Sequence, residues 1–270
     1  MTDKKPGVKA VETRTLAELA AELEGMLKLK VPPIGMKLLR SVEDMESIPR
    51  VRRPKSIHTM DQIVGQATRL GWTVGVTADD LIGDQCRFVV GLGKDNPEWH
   101  TGEHMKGVWF ETTEDATRHQ SAMHRVPLGT YQALVVAPLR KWSGNPDEAL
   151  GTPDIALFYA TPGAMIYFIN GLQWRNYRNF QWGVVGESSC ADSWGRALKT
   201  REPSLSIPCF AERRYGGVLD EEMLMALTTQ DISTALNGMR ALSQNGLRYP
   251  FPSYGIQMDV RAGMAASYKS

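Results

Sequence analysis

The chain is poor in cysteine, has no long apolar run and carries almost no net charge, and each shortage excludes something. Three cysteines in 270 residues, an odd number, argue against a disulfide scaffold and for reduced thiols in a cytoplasmic protein. No apolar stretch nears the ~18 residues that a membrane span requires. The opening MTDKKPGVKAVE has charge without an apolar core, so neither a secretory signal nor a membrane anchor is expected. With 31 basic and 30 acidic side chains, the net charge of +1 leaves no overall field to draw in nucleic acid or an anionic membrane. RVRRPK, residues 50–55, is the one local basic cluster and reads as a solvated turn. Phosphate-loop and dinucleotide spacings, a G-x-S-x-G elbow and tight C-x-x-C pairs are all missing.

What is present is ample core material, 42% hydrophobic residues, arranged as alternating helix and strand patterns. TRTLAELAAELEGMLKLK reads as a helix with a Thr15/Glu18 capping box and a stripe of Leu16, Leu19, Leu23 and Leu27. VPPIGMKLL starts a strand. TMDQIVGQATRLG is a second helix, capped by Thr59 and Gln62 and stopped at Gly71, and WTVGVT follows as a strand. DDLIGDQCRFVVGLG is a turn leading into an apolar run that fits helix or strand. Residues 94–127 hold four of the five histidines with little periodicity, and read as loop and short helix forming a lid or insertion. YQALVVAPL and PDIALFY are strands whose continuous apolar character predicts burial on both faces. TPGAMIYFINGLQW is a helix with Met165, Ile166, Ile169 and Leu172 inward. SLSIPCF is a strand, TQDISTALNGMRAL a helix, and residues 246–270 a wrapping tail. The rhythm is not a clean βαβ repeat. It predicts one α/β or α+β domain over 1–270, with a mixed sheet flanked by helices.

Each thiol falls at the end of an element. Cys86 follows a turn, Cys190 lies in the first turn of a helix after a Ser189 cap, and Cys209 stands where a strand meets Glu212, Arg213 and Arg214. The residues leave several readings open. The cysteines could be small core hydrophobes; Cys190 could be a nucleophile favoured by a helix N-terminus; or the three could hold an iron–sulfur cluster whose fourth iron acts as a Lewis acid. The histidine pairs His100/His104 and His119/His124 read as surface loop rather than zinc ligands. Trp174, Tyr177, Arg178 and Trp182 suit packing at the end of a helix, or the wall of a small-molecule pocket, better than a nucleic-acid platform.

The blocks VPPIGMKLL, QCRFVVGLG, YQALVVAPL, PDIALFYATPGAMIYFI, GESSCA and SIPCFAERR resemble, in this order, the domain of unknown function 169 family, the uncharacterised ArCR family, over roughly residues 30–245. The resemblance implies cysteines at the positions of Cys86, Cys190 and Cys209 and a shared site. It also implies a further cysteine before the second helix, where this chain has His58. The expectation that follows is a lyase or hydratase acting on a small hydroxylated carboxylate or aromatic compound. Cys86, Cys190 and Cys209 would hold the cluster, His58 or Glu212 would move a proton, and Arg213 would orient the substrate. A metal-free acid–base or cysteine enzyme, and a ligand-binding or sensing protein, are the alternatives. A homodimer is the base-rate expectation.

Overall fold

The computed structural model describes residues 14–83, 85–145 and 147–252. Its centre is a six-stranded sheet in the order β2-β3-β1-β4-β6-β5. The strands are β1 (Ile34–Leu39), β2 (Val74–Thr77), β3 (Ala133–Pro138), β4 (Ile155–Ala160), β5 (Ser204–Ser206) and β6 (Met223–Leu227). Every pair of named strands is antiparallel, which narrows the expected classes to an α+β architecture. Register is set at the centre by Met36 opposite Val136 and Ile34 opposite Leu157.

Side chains alternate across a strand, so each central strand feeds two cores. Leu134, Val136, Leu157 and Tyr159 point to one; Val135, Ala137, Phe158 and Ala160 point to the other. Both β3 and β4 are buried throughout, as their apolar runs predict. The second core is closed by α1 (Leu16–Leu27), α7 (Pro162–Gln173) and α10 (Thr229–Gln244). The Thr15/Glu18 box caps α1, and its leucine stripe is buried, each side chain worth roughly 2 kcal/mol against exposure. In α7 the inward face differs from expectation: Tyr167 and Phe168 are buried while Ile166 is 48% exposed. The Tyr167 hydroxyl can afford burial because it donates to the Met239 and Leu247 carbonyls.

The first core is covered by α3 (Met60–Arg69), α4 (Gln85–Val89) and a helical segment that starts at Ser189, passes through a π-helical turn at Ala191–Gly195 and ends as α8 (Arg196–Thr200). The ambiguous apolar run is thus a helix. Residues 94–127 form α5 (Pro97–Thr101) and α6 (Thr113–Ala122) with connecting loops. A short α2 (Val42–Glu46) follows β1. Two further elements lie where the sequence suggested none. The charged residues after Cys209 form α9 (Phe210–Gly216) rather than a turn, and MLMAL is β6. The predicted strand SLSIPCF stops at Ser206. The proposed tail falls largely outside the described residues; its start packs on α7 through Tyr249, whose hydroxyl meets Thr161 Oγ1 at 2.9 Å. Among the described residues no helix is long and apolar enough to cross a membrane.

Candidate functional site

Four segments meet above the first core. Asp61 lies in the first turn of α3, Cys86 is the second residue of α4, Cys190 precedes the π-helical turn, and Cys209 caps α9. Glycine permits the approach. A Cβ on Gly65 of α3 would stand 2.9 Å from the Gly216 carbonyl oxygen of α9, so these helices meet backbone to backbone. The Cys86 and Cys190 sulfurs are 3.1 Å apart, and Cys86 Sγ lies 3.8 and 3.9 Å from the two Asp61 carboxylate oxygens. The sulfur separation is about 1 Å longer than the ~2.05 Å of a disulfide bond. Cys190 and Asp61 both act electrostatically on the Cys209 thiol, which hydrogen-bonds the Glu187 carboxylate.

A second carboxylate is built into the same corner. Glu212, 1% exposed, accepts from Tyr159 Oη at 3.1 Å, from the Cys209 N–H at 3.3 Å, and from the Ser189 hydroxyl in a very short contact. Ser189 Oγ also accepts from the Cys209 N–H at 2.9 Å. Ser189 therefore braces α9 rather than capping its own helix, whose start is set by Ser188 at φ 78°. Burial pushes the Glu212 pKa up, opposed by the bonds from Ser189, Cys209 and Tyr159 and by Arg213. Burial, then the Glu212 carboxylate, Cys190 and Asp61, push the Cys209 thiol up to about 12. The thiol form of Cys209 is thereby favoured over the thiolate at neutral pH.

Cys86 and Cys209 border a cavity of about 260 Å³. Asp61, Cys86 and Cys209 line it together with Glu187 and Ser188 and with Gln85, His104, Met105 and Trp109. The histidine-bearing segment thus walls the pocket. The Gln85 amide donates to His104 Nε2 at 2.8 Å, which leaves Nδ1–H facing the Glu98 carbonyl. His119 Nε2–H donates to the Glu187 carbonyl at 2.5 Å and fixes that loop from behind. His100 instead pairs with Asp95.

The other expected site residues lie elsewhere. His58 lines a separate cavity of about 430 Å³ with Arg53 and Gln66, its Nδ1 2.7 Å from the Ser56 carbonyl. Arg213 clamps its own loop, donating to the Pro208 and Leu219 carbonyls. Trp174 and Tyr177 are exposed, Arg178 pairs with Glu202 at 2.9 Å, and Trp182 stacks on Phe180 and donates to the Pro203 carbonyl. None of these six lines the thiol pocket. Asp61, Tyr159 and Glu187 went unnoticed in the sequence, and Ser189 was noticed only as a helix cap. Asp61 carried a signal, because it shares a helical stripe with Val64 and Thr68, and all three are buried.

The cysteines suit an iron–sulfur group in kind but not in spacing. Two thiolates on one tetrahedral ion with ~2.3 Å metal–sulfur bonds stand about 3.8 Å apart, and those on different irons stand farther still. The Cys86–Cys190 pair is closer than either. Among the described residues no three His, Cys, Asp or Glu side chains form a group able to hold a metal ion.

Asp192, one turn behind the thiols, gives a test of the local electrostatics. It is buried and accepts from the Val185 N–H at 2.9 Å; burial raises its pKa to about 6, against that bond and Arg196. A carboxyl raised in the folded state contributes stability below its unfolded pKa near 4 and loses it as pH climbs through 6. Asp192→Asn keeps the acceptor and removes the titration. The stability of the variant relative to the parent should therefore rise by about 1–2 kcal/mol between pH 4 and pH 7. Urea unfolding at the two pH values reads this directly.

A family model of the uncharacterised ArCR family, domain of unknown function 169, matches residues 22–238, a span that contains all three cysteines, Asp61 and Glu212. The chain belongs to that family. It is also similar to an uncharacterized protein of Methanocaldococcus jannaschii, at 22% identity over 243 residues, covering 87% of this chain and 97% of the relative. No solved structure matches.

Proposed function

We propose that this member of the ArCR family is a thiol-dependent enzyme that exchanges two electrons with a small disulfide, using Cys86 as the attacking sulfur and Cys190 as the resolving one. The 3.1 Å approach of these sulfurs carries the reading. The division of labour follows from exposure and charge. Cys190 has no exposed surface, whereas Cys86 and Cys209 both line the pocket. Burial and the Glu212 carboxylate hold Cys209 in its thiol form, whereas the Cys86 thiol points at the Asp61 carboxylate, which can take its proton as a general base when Cys86 attacks.

The exchange balances as follows. The Cys86 proton passes to Asp61 and the thiolate attacks one sulfur of R–S–S–R, breaking that bond. The first R–S⁻ leaves and takes the proton back from Asp61. Cys190 then attacks the Cys86 sulfur of the mixed disulfide, expels the second R–S⁻, and its own proton leaves with it. Two cysteine thiols become one disulfide and R–S–S–R becomes two R–SH. A dithiol from outside reverses the protein's half of the reaction. A cavity of about 260 Å³ limits R to a compact group, and Trp109, packed on Phe210 at 5.7 Å, offers an aromatic wall to it.

The test is an anaerobic titration of the reduced protein with hydroxyethyl disulfide, followed by peptide mapping. The expected product is one Cys86–Cys190 crosslink per chain with Cys209 still alkylatable. A crosslink between any other pair, or a protein inert to excess disulfide, sinks the assignment. Iron and sulfide analysis of anaerobically purified protein separates this reading from the cluster-dependent lyase: stoichiometric cluster with no disulfide exchange would favour the lyase.

A further inference from the structure

We propose that a basic cavity formed by the RVRRPK segment is a second ligand site, which takes a phosphate-bearing small molecule. The sequence alone suggested a solvated turn there. The segment is largely exposed, as that reading expects, and Arg50 and Arg52 also wall a cavity of about 720 Å³ with Lys141, Trp72 and Leu150, inside the size range of small-molecule sites. Three cationic side chains face it against the single carboxylate of Glu148. Among the described residues none of the three has an ion-pair partner, whereas neighbouring Arg53 is committed to Asp80 at 2.7 Å and Glu46 at 3.5 Å. The Lys141 ammonium is lowered first by burial and then by Arg140, Arg52 and Arg50, with no carboxylate opposing them.

The cations are also held in place. The Arg52 N–H donates to the Thr73 carbonyl at 2.9 Å, its carbonyl accepts from the Gly75 N–H at 3.0 Å, and its guanidinium lies 4.2 Å above the Trp72 ring. Arg50 sits at φ 61°, a left-handed conformation that a non-glycine residue adopts at a cost. Lys141 is tied to the Gly71 carbonyl at 2.8 Å. Like charges gathered around a hollow repel one another until an anion arrives. The excess of two positive charges matches a phosphate monoester dianion, and guanidinium forks match phosphate oxygens better than they match a point charge. The volume exceeds that of a phosphate alone, so the ligand carries an organic part beside Leu150 and Trp72.

Isothermal titration of the full chain at low salt, with pyrophosphate and with ADP as probes, tests this. The expectation is one binding event per chain that weakens as salt is added. Arg52→Gln/Lys141→Gln should lose at least about tenfold in affinity, while Arg53→Gln should bind as the parent does. Circular dichroism checks folding, and Arg50→Gln replaces the double variant if that one unfolds. Absence of heat with both probes up to millimolar concentration overturns the proposal. So does binding that the double variant leaves unchanged.

Discussion

Cys190→Ala is expected to turn a passing intermediate into a stable product. In the parent protein a mixed disulfide on Cys86 lasts only until Cys190, 3.1 Å away, displaces it. Alanine removes that sulfur and puts no hydroxyl into the apolar cluster to which Cys190 belongs. Exposure to hydroxyethyl disulfide should then leave close to one adduct per chain, read by intact mass, where the parent shows an internal crosslink and no lasting adduct. Cys86→Ala should slow modification by at least about a hundredfold, because the remaining pocket thiol is held protonated. Cys209→Ala should leave the Cys86–Cys190 crosslink intact. Adduct formation on Cys209 in the Cys86 variant, at the parent rate, would falsify the assignment of roles.

The second large effect concerns the fold. Gly171 of α7 and Gly238 of α10 meet so closely that a Cβ on Gly238 would fall on the Gly171 carbonyl. Backbone cannot rotate away as a side chain can, so Gly238→Ala must push the helices apart and loosen Phe168, Leu172, Leu236 and Met239 between them. Overpacking of this kind costs about 3 kcal/mol, and the better helix propensity of alanine returns about 1. A net loss of about 2 kcal/mol should lower the melting temperature by roughly 4–8 °C in a chain of this size. Gly25 in α1 is the control: nothing lies within 4 Å of its Cβ direction, so Gly25→Ala should gain up to about 1 kcal/mol. Equal melting temperatures for the two variants would contradict the packing argument.

Much of the scaffold was legible because local chemistry decides it. The Thr15/Glu18 and Thr59/Gln62 boxes start their helices as read, and the continuous runs in β3 and β4 mark strands covered on both faces. The turn of Cys209 into α9 was less legible, since its cap is a cysteine backed by Glu212 instead of a serine or threonine. β6 was hidden by its surroundings: MLMAL is short, has no β-branched residue and is equally at home in a helix, and only pairing with β4 and β5 makes it a strand. The site was half legible. Residue type singled out the cysteines and Glu212, whereas Asp61 offered only its place on a helical stripe with Val64 and Thr68. His58 and the Trp174–Trp182 series were attractive by type alone and lie away from the sulfurs.

The two outer margins of the sheet bear on how copies of the chain could associate. At one margin the backbone of β2 is already engaged by Arg52, which bonds to Thr73 and Gly75. At the other, β5 is three residues long, and the Pro203 carbonyl beside it is taken by Trp182 and Arg196. Among the described residues neither margin offers a long run of vacant amides and carbonyls on which a foreign strand could zip. Association through these margins would therefore fall to side-chain surfaces, where single substitutions can tune it, more than to extension of the sheet from one molecule into the next.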